Sequence, residues 1–379
     1  MENTLSQTPD RIKKPNLKLV AWEVTRRCNL SCIHCRANAV NKFDKEELST
    51  KESFLLIDEI AKIAHPTLIL TGGEPLLRSD IFEIISYGVA KGLIVVMTPN
   101  GTLINKEIAE QMKHSGIKRI SISIDGATAK THDEMRQVSG AFEGALNGIK
   151  WAKTSGLEFQ INTTITKQNY TKINDIINLS IKLGAVACHF FFLVPTGRAK
   201  GMVGQELNPK EYEEVLTCLV KKTKEVNIEI RTTCAPHYFR ISREPASNIP
   251  PPYPSPARDI PPCPPLENVK ERIFQSTWKR GCLAGTAFCF ISYQGEVFPC
   301  GYLDVNCGNI KNQSFKDIWE NSQVFNAIRD LSGYRGKCGL CEYLKICSGC
   351  RARAYANTGD YLEEEPNCIY EPKMGSDKL

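Results

Sequence analysis

The sequence lacks long apolar runs, an apolar leader and a concentrated patch of positive charge. No stretch of about 18 apolar residues is present that could span a bilayer, and residues 1–16 are polar, without the apolar centre of a signal peptide. The net charge of +6 is modest for 379 residues, and Lys and Arg are interspersed with Asp and Glu. We therefore expect a cytoplasmic globular protein with neither a membrane nor a nucleic acid as partner.

Cysteine, in contrast, is abundant, because the chain contains 16 of them. A cytoplasmic environment reduces disulfides, so a set of this size indicates metal ligation rather than a disulfide framework. The spacing of the cysteines must then decide which kind of metal centre they form.

Short β-rich runs alternate with helix-like stretches over the first 230 residues. Such alternation predicts parallel strands joined by helices. The predicted strands are residues 17–24, 67–71, 93–98, 119–124, 158–165 and 188–194. A capping box from Ser49 to Glu52 opens the first helix. We expect an α/β fold, a partial (β/α)6 barrel like a TIM barrel, with its chemistry in the loops at the C-terminal ends of the strands.

Two further segments follow the predicted barrel. Residues 248–265 are rich in proline and so predict a linker or a surface lid. From Gly281 onward cysteines are dense and apolar periodicity is weak, which indicates a region ordered by metal. The expected domains are an N-terminal extension (1–16), the barrel (17–232), a substrate-side segment with its linker (233–280) and a cluster domain (281–379).

The first chemical motif is Cys28, Cys32 and Cys35, directly after the first predicted strand. Three thiolates at this spacing can wrap a loop around one [4Fe-4S] cube, and they supply only three of its usual four ligands. The fourth iron is left open for another ligand, as in catalytic rather than structural zinc sites. A zinc site or three unrelated buried cysteines are the alternatives.

The Cys-x3-Cys-x2-Cys motif at this position resembles that of the radical S-adenosylmethionine superfamily. The resemblance implies that S-adenosylmethionine is cleaved reductively at the cluster to a 5′-deoxyadenosyl radical, with Cys28, Cys32 and Cys35 as the catalytic residues. It also implies an unidentified low-potential electron donor as a partner. His34 occupies the place before the third cysteine where the family has an aromatic or polar residue.

A Gly-Gly-Glu-Pro segment directly after the second predicted strand also resembles the superfamily. Gly72 and Gly73 allow close backbone approach to a ligand, and Glu74 supplies an acceptor for an ammonium group. The resemblance implies that this segment binds the methionyl amino group of the cofactor.

Other predicted cofactor contacts come from later strand ends. By resemblance, Ser123 and Asp125 contact the ribose and Arg136 pairs with the cofactor carboxylate. Asn100 and Asn162 end the third and fifth predicted strands, where a contact and a capping or turn role are both open.

The C-terminal region holds enough thiolates for two fully ligated [4Fe-4S] cubes, whereas a zinc ribbon normally uses four. The candidate ligands are Cys282, Cys289, Cys300, Cys338, Cys341, Cys347, Cys350 and Cys368. Their pattern resembles the SPASM extension of the superfamily, except that two residues rather than three separate Cys347 from Cys350. A zinc-binding region is the alternative.

The SPASM resemblance implies two auxiliary [4Fe-4S] clusters with separate ligand sets. The inner set is Cys282, Cys289, Cys300 and Cys350, and the outer set is Cys338, Cys341, Cys347 and Cys368. Cys307 lies nearby and could displace Cys289. Interleaved ligands cannot be assigned from chain order alone, so this division stays open.

A Cys-Ala-Pro-His segment follows a short strand-like run near residue 230. His237 is a candidate ligand of a haem iron, and Arg240 or Arg243 is a candidate partner of a propionate. The alternative is a turn with solvated arginines.

Together, the residues around the first cysteine motif, the Cys-Ala-Pro-His segment and the Gly-Cys-Leu-Ala-Gly segment from Gly281 resemble haem synthases of the siroheme-dependent haem pathway. The resemblance implies an iron-tetrapyrrole substrate, with two propionates of iron-coproporphyrin III decarboxylated to the vinyl groups of haem b. Arg36 stands where related enzymes of earlier steps, or of haem d1 synthesis, usually have tyrosine. The alternatives are one of those related tetrapyrrole enzymes, a SPASM-type peptide maturase or a non-catalytic iron–sulfur carrier. A carrier, however, has no need of the Gly-Gly-Glu-Pro segment.

Overall fold

The structure, a computed structural model, describes residues 16–202, 204–244 and 280–373. Seven strands from the first part of the chain are β1 (Leu19–Glu23), β2 (Thr67–Thr71), β3 (Ile94–Met97), β4 (Arg119–Ser123), β5 (Phe159–Ile165), β6 (Ala187–Phe192) and β7 (Glu229–Thr233). Three more, from the C-terminal region, are β8 (Phe288–Ile291), β9 (Glu296–Phe298) and β10 (Gly308–Asn309).

The helices alternate with the first seven strands and then gather in the C-terminal region. The first seven are α1 (Thr50–Ile63), α2 (Ile81–Ala90), α3 (Lys106–His114), α4 (Ala129–Arg136), α5 (Ala141–Thr154), α6 (Ile173–Leu183) and α7 (Pro209–Glu225). The others are α8 (His237–Ile241), α9 (Phe315–Asn321), α10 (Gln323–Arg329), α11 (Gly336–Leu340) and α12 (Arg351–Thr358). The predicted capping box is present at α1, where the Glu52 carboxylate accepts from the Ser49 amide at 2.8 Å and the Glu52 amide donates to the Ser49 hydroxyl at 3.3 Å.

All ten strands of the described residues form one sheet in the order β10-β9-β8-β1-β2-β3-β4-β5-β6-β7. Strands β1 to β7 run parallel to their neighbours, and β8 adds to the free edge of β1, also in parallel, with Leu19 opposite Phe288. Strands β9 and β10 continue antiparallel. The α/β barrel-like class is confirmed, and the sheet runs across the boundary predicted at residue 281 because the exposed edge of β1 is paired with β8.

The two faces of the sheet have different surroundings. On β1, Val20 and Trp22 are fully buried in the core beneath the helices, while Leu19 and Ala21 line a cavity on the other face. This alternation is the period of two that a strand imposes on its side chains. The helices therefore close one face and leave the opposite face for a ligand.

The predicted Pro-rich segment, 248–265, and most of the N-terminal extension lie outside the described residues. Among the helices that are described, none has both the length and the apolar character needed to cross a bilayer.

Candidate active site

A cavity of about 1130 Å³ opens at the C-terminal ends of the parallel strands. Thr71, Ser123 and Thr233 at strand ends, Thr98 directly after β3 and Asn162 within β5 contribute to its wall. Of the site residues predicted from the sequence, it brings together Cys28, Cys32, Cys35, Gly72, Gly73, Asn100, Ser123, Arg136, Asn162, Arg243, Cys282, Cys300 and Cys350. One continuous space thus joins the first cysteine motif to three C-terminal thiols.

The first cysteine motif lies in the loop between β1 and α1. Its backbone is tied to neighbouring segments, since the amide of Cys28 donates to the Val40 carbonyl at 3.0 Å and that of Ile33 to the Met135 carbonyl at 3.0 Å. All three thiols are free, and burial raises the pKa of Cys28 to about 12 and also raises that of Cys32. Because burial favours neutral thiols, thiolates here need a positive centre to hold them, and an iron–sulfur cluster provides one.

Arg198 clamps this loop and was not predicted from the sequence. Its Nε donates to the Cys32 carbonyl at 2.8 Å, its Nη1 donates to the Ala39 carbonyl at 2.7 Å, and its backbone amide donates to the Cys35 carbonyl at 2.9 Å. The preceding Gly197 has a left-handed φ of +57°, and a Cβ there would collide with the carbonyl oxygens of the cysteine loop. The Thr-Gly-Arg turn in the loop after β6 was the available signal, because a glycine in such a loop allows close backbone approach.

Arg136 reaches the cavity from the last turn of α4. Its Nη2 pairs with Asp125 Oδ2 at 2.7 Å, and its Nη1 lies 3.6 Å from the Cys32 sulfur. The Nε of Arg136 is buried with no hydrogen-bond partner in the described part of the chain. The Arg136 guanidinium, although paired with Asp125, therefore keeps one N–H that can donate to a carboxylate. This fits the predicted pairing of Arg136 with the carboxylate of the cofactor.

Asp125 does not take the ribose-contacting place predicted for it. The side chain is fully buried and does not line the cavity; its Oδ1 accepts from the Thr164 amide at 2.8 Å, and its Oδ2 lies 3.5 Å from His34 Nε2. Burial opposes the charged carboxylate, but Arg136 and His34 more than compensate, so the pKa of Asp125 is lowered. Ser123 lines the cavity at the end of β4, and its contact with the ribose stays a prediction. Asp125 instead holds Arg136 and His34 from behind the wall.

The Gly-Gly-Glu segment packs tightly against the start of the cysteine loop. A Cβ on Gly72 would collide with the Thr25 carbonyl oxygen, and one on Gly73 with that of Arg27. Glu74 is fully buried behind the wall; its Oε2 accepts from the Asn100 amide at 2.6 Å and its Oε1 from the Leu76 amide at 3.2 Å. Burial raises the pKa of Glu74 to about 7. The contact of Glu74 with the methionyl ammonium group therefore stays a prediction.

Asn100 belongs to a polar network at the edge of the cavity. Its Nδ2 donates to Asn29 Oδ1 at 2.8 Å, and its Oδ1 accepts from the Thr102 amide at 2.8 Å. Asn162 lines the cavity and accepts from Gln160 at 2.9 Å. The bond from the Thr102 amide gives Asn100 the turn role. Asn162 lies within β5 and not at its end as predicted, so it has no turn role. A contact of either asparagine with the cofactor stays a prediction.

The C-terminal thiols fall into two places. Cys282, Cys300 and Cys350 line the main cavity, and the outer set predicted from the sequence, Cys338, Cys341, Cys347 and Cys368, lines a second pocket. Within residues 16–202, 204–244 and 280–373, no three metal-binding side chains converge closely enough to hold a single ion.

The prediction that Cys289 joins the inner set disagrees with the structure. On β8, Phe288 and Phe290 line the main cavity, so the intervening Cys289 points to the opposite face of the sheet. It is fully buried there, close to Cys307, and burial raises the pKa of Cys307 to about 12. Neither of these cysteines lines the cavity, whereas Cys234, which was not assigned from the sequence, does.

The short Cys347-to-Cys350 spacing has a structural explanation. The two intervening residues, Ser348 and Gly349, both have left-handed φ values, of +65° and +57°. This turn directs Cys347 into the outer pocket and Cys350 into the main cavity. Two residues therefore suffice to divide neighbouring cysteines between separate clusters.

Two buried arginines lie beside the C-terminal thiols. Arg353 Nη1 pairs with Glu365 Oε1 at 3.1 Å, and Glu365 Oε2 accepts from the Cys350 amide at 2.7 Å. Arg351 is also fully buried, and its Nη2 lies 3.6 Å from the Cys338 sulfur. Cations next to cluster thiolates are electrostatically favourable, which fits a cluster at each place.

The prediction that His237 and Arg240 face the main cavity is wrong. Both side chains line the outer pocket instead. Arg240 Nη2 pairs with Glu213 at 2.5 Å and Nη1 with Glu244 at 2.5 Å, so its guanidinium is already neutralised. His237 is fully buried against Tyr212, and neither ring nitrogen has a hydrogen-bond partner in the described residues. The carboxylate partners and the direction of α8 could not be read from the short motif.

An open parallel sheet, a three-cysteine loop after its first strand and a second cysteine-rich region define a radical S-adenosylmethionine enzyme with auxiliary clusters. Residues 22–180 match the Radical SAM superfamily, and residues 282–351 match the SPASM iron-sulfur cluster-binding domain. The cofactors of such a protein are S-adenosylmethionine, one [4Fe-4S] cluster at the first motif and additional iron–sulfur clusters in the SPASM region.

Two curated relatives extend over almost the whole chain. The AdoMet-dependent heme synthase of Methanosarcina barkeri is 50% identical, covering 94% of this chain and 97% of the relative. The protein of the same name from Nitratidesulfovibrio vulgaris is 47% identical, covering 95% and 94%. The chain belongs to the AdoMet-dependent heme synthase family of the radical SAM superfamily.

Among solved structures, that of Streptococcus suis SuiB bound to S-adenosylmethionine is similar, with a TM-score of 0.71. It is 19% identical, and the match covers 94% of this chain and 78% of SuiB. At this identity the likeness supports the fold.

Proposed function

We propose that this protein is a haem synthase that oxidatively decarboxylates two propionates of iron-coproporphyrin III to the vinyl groups of haem b. The observation that carries the proposal is the single cavity that joins the three-thiol loop to Cys282, Cys300 and Cys350. The full-length identity of 50% to an AdoMet-dependent heme synthase supports the choice of substrate.

The cavity has the size and the walls for a large, flat, apolar ligand beside the cofactor. Its volume of about 1130 Å³ exceeds the roughly 300–1,000 Å³ of ordinary small-molecule sites. Phe191, Leu193, Phe239, Phe288 and Phe290 contribute apolar surface. A tetrapyrrole ring presents two apolar faces that such side chains can cover.

Arginines at the wall supply partners for the carboxylates at the rim of a porphyrin. Arg243 and Arg280 line the cavity, and neither forms an ion pair with any described carboxylate. Arg36 also lines it but is already paired with Glu23, and its guanidinium stacks 4.3 Å from the centre of the Phe290 ring. Arg243, predicted from the sequence, and Arg280 are therefore the propionate partners we infer.

When bound, S-adenosylmethionine and its cluster supply the radical that removes hydrogen from a propionate β-carbon, and an auxiliary cluster supplies an acceptor for the electron the substrate must lose. Arg136, held by Asp125, offers its unpartnered Nε to the cofactor carboxylate. Arg198 fixes the cysteine loop through three hydrogen bonds to backbone carbonyls. The apolar walls exclude water from the reacting carbon.

The test is to incubate reconstituted protein, without oxygen, with dithionite, S-adenosylmethionine and iron-coproporphyrin III. We expect deoxyadenosine, carbon dioxide, the singly decarboxylated porphyrin and then haem b. Deoxyadenosine release with neither porphyrin product would contradict the substrate assignment.

A pair of variants sharpens the assay. Arg243→Gln removes a cavity-lining cation, and we expect the KM for the porphyrin to rise about tenfold, the value of one charge-assisted hydrogen bond. Arg119→Gln changes an arginine that pairs with Glu158 outside the cavity and serves as the matched control. Equal KM values for the two variants would remove Arg243 from the substrate site.

We further infer a cytoplasmic setting and a low-potential protein as the physiological electron donor. Both follow from the need of reduced thiols and a reduced cluster for the reaction.

A further inference from the structure

We propose that Cys234 is the fourth protein ligand of the inner auxiliary cluster, completing the set formed by Cys282, Cys300 and Cys350. The sequence pattern places Cys289 in this role. Cys234 lies outside the SPASM region, 48 residues before Cys282, and follows directly on β7.

The first support is that the four thiols line one cavity and that three of them, Cys234, Cys300 and Cys350, belong to one packing cluster. Cys234, Cys282, Cys300 and Cys350 all line the same cavity. Cys234 and Cys300 pack against the small apolar cluster that contains Cys350. Four free thiols that line the same cavity are the number of ligands that a fully ligated [4Fe-4S] cube requires.

The second support is the backbone at Cys234, which has a left-handed φ of +58°. Non-glycine residues are rarely held in this region unless the surroundings fix them, and such positions concentrate at functional sites. Here the Cys234 carbonyl accepts from Arg353 Nη2 at 3.0 Å and from the Tyr212 hydroxyl. These two buried donors hold the turn that directs the thiol into the cavity.

The third support is that Cys289 cannot reach the set without moving its strand. It is opposite Val20 in the β1/β8 pairing, and Val20 belongs to the core beneath the helices. Bringing Cys289 to the cavity face would shift β8 by one residue and bury Phe288 and Phe290 in its place. The register of β8 therefore excludes it.

This inference rests on the auxiliary clusters of the SPASM region and not on the proposed substrate. Failure of the haem b assay would leave it standing, because its own readouts are iron content and spectroscopy of the full-length protein.

The experiment compares Cys234→Ala with Cys289→Ala after anaerobic reconstitution. In Cys234→Ala we expect the electron paramagnetic resonance (EPR) signal of one reduced cluster to be lost or changed, with iron falling from about twelve per chain to between about eight and eleven. In Cys289→Ala we expect all signals and about twelve iron atoms to remain. Unchanged signals in Cys234→Ala, or a lost cluster in Cys289→Ala alone, would overturn the proposal.

Two further measurements guard against a misfolded variant. Cys234→Ala must retain the far-ultraviolet circular dichroism of the parent and the response of the first cluster to S-adenosylmethionine. If it does not fold, Cys234→Ser replaces it, since an oxygen ligand keeps a cluster but shifts its spectrum; an unshifted spectrum overturns the proposal. A Cys234–Cys350 disulfide in the cluster-loaded protein, found by mass spectrometry, would also overturn it.

Discussion

The two thiol sites that share the cavity are built in opposite ways. Cys28, Cys32 and Cys35 come from eight consecutive residues of one loop, which is held by outside contacts such as those of Arg198. The inner auxiliary set comes from separate segments after β7, before β8, after β9 and before α12. The first site has three thiols and the second has four, which separates a cluster that binds a ligand from one that is closed.

The comparison teaches which kind of site a sequence can reveal. A contiguous loop keeps its spacing in the chain, so its geometry can be read directly. A distributed site is assembled by strand pairing and by buried charges, and chain order alone does not show which cysteines meet.

Cys32→Ala should abolish deoxyadenosine formation, because two thiols do not hold the ligand-binding cluster. About four of about twelve iron atoms should be lost, while the auxiliary signals remain. Anaerobic iron analysis and quantification of deoxyadenosine check this outcome. Loss of all clusters would show that the loop and the distributed sites are not independent.

Arg353→Met should destabilise the C-terminal site strongly, because it leaves the fully buried Glu365 without its cation. Removing one partner of a buried ion pair costs about 3–5 kcal/mol. Urea unfolding under argon measures the change. Arg335→Met is the matched control, since the Arg335–Asp360 pair is exposed and such pairs contribute about 0–1 kcal/mol. Similar losses from both variants would contradict the role given to the buried pair.

Gly349→Ala should cost about 2 kcal/mol of stability and weaken the outer cluster. The added methyl group would sit at a φ of +57°, 3.0 Å from Glu365 Cβ and 3.1 Å from the Cys338 sulfur. Gly359→Ala isolates the backbone strain, because Gly359 has a φ of +78° and open space around its Cβ position. If Gly349→Ala and Gly359→Ala lose the same amount of cluster, the turn at Gly349 does not determine how Cys347 and Cys350 are directed to separate sites.

Arg198→Lys should weaken binding of S-adenosylmethionine about tenfold, since the lysine cannot reproduce both side-chain hydrogen bonds to the loop carbonyls. Equilibrium dialysis of the reconstituted protein measures this affinity. Lys200→Arg, on the same turn but outside the cavity wall, is the control. An unchanged affinity in Arg198→Lys would mean that the loop holds its shape without the clamp.

The sequence was informative wherever neighbouring residues act together. The six predicted strands, the capping box at Ser49 and the cysteine loop all depend on local periodicity or spacing. The family, fold class and cofactors inferred from these motifs are confirmed.

The errors lie where distant segments meet. The SPASM resemblance implied that Cys289 faces the cavity, which is wrong. Nothing in the sequence indicates that β8 pairs in parallel with β1, and this pairing places Cys289 on the opposite face of the sheet. The short motif wrongly predicts Arg240 as a substrate contact, because it does not show that Glu213 of α7 and Glu244 after α8 neutralise this arginine. Asp125 was placed in the cavity although Arg136 and His34 hold it behind the wall.

The most direct test is EPR spectroscopy of the fully reconstituted, reduced protein before and after S-adenosylmethionine is added. The three-thiol cluster should respond alone, with a changed signal that is absent in Cys32→Ala, while the signals of the four-thiol sites stay constant. No change on addition, or a change that persists in Cys32→Ala, would contradict the open coordination site at the loop.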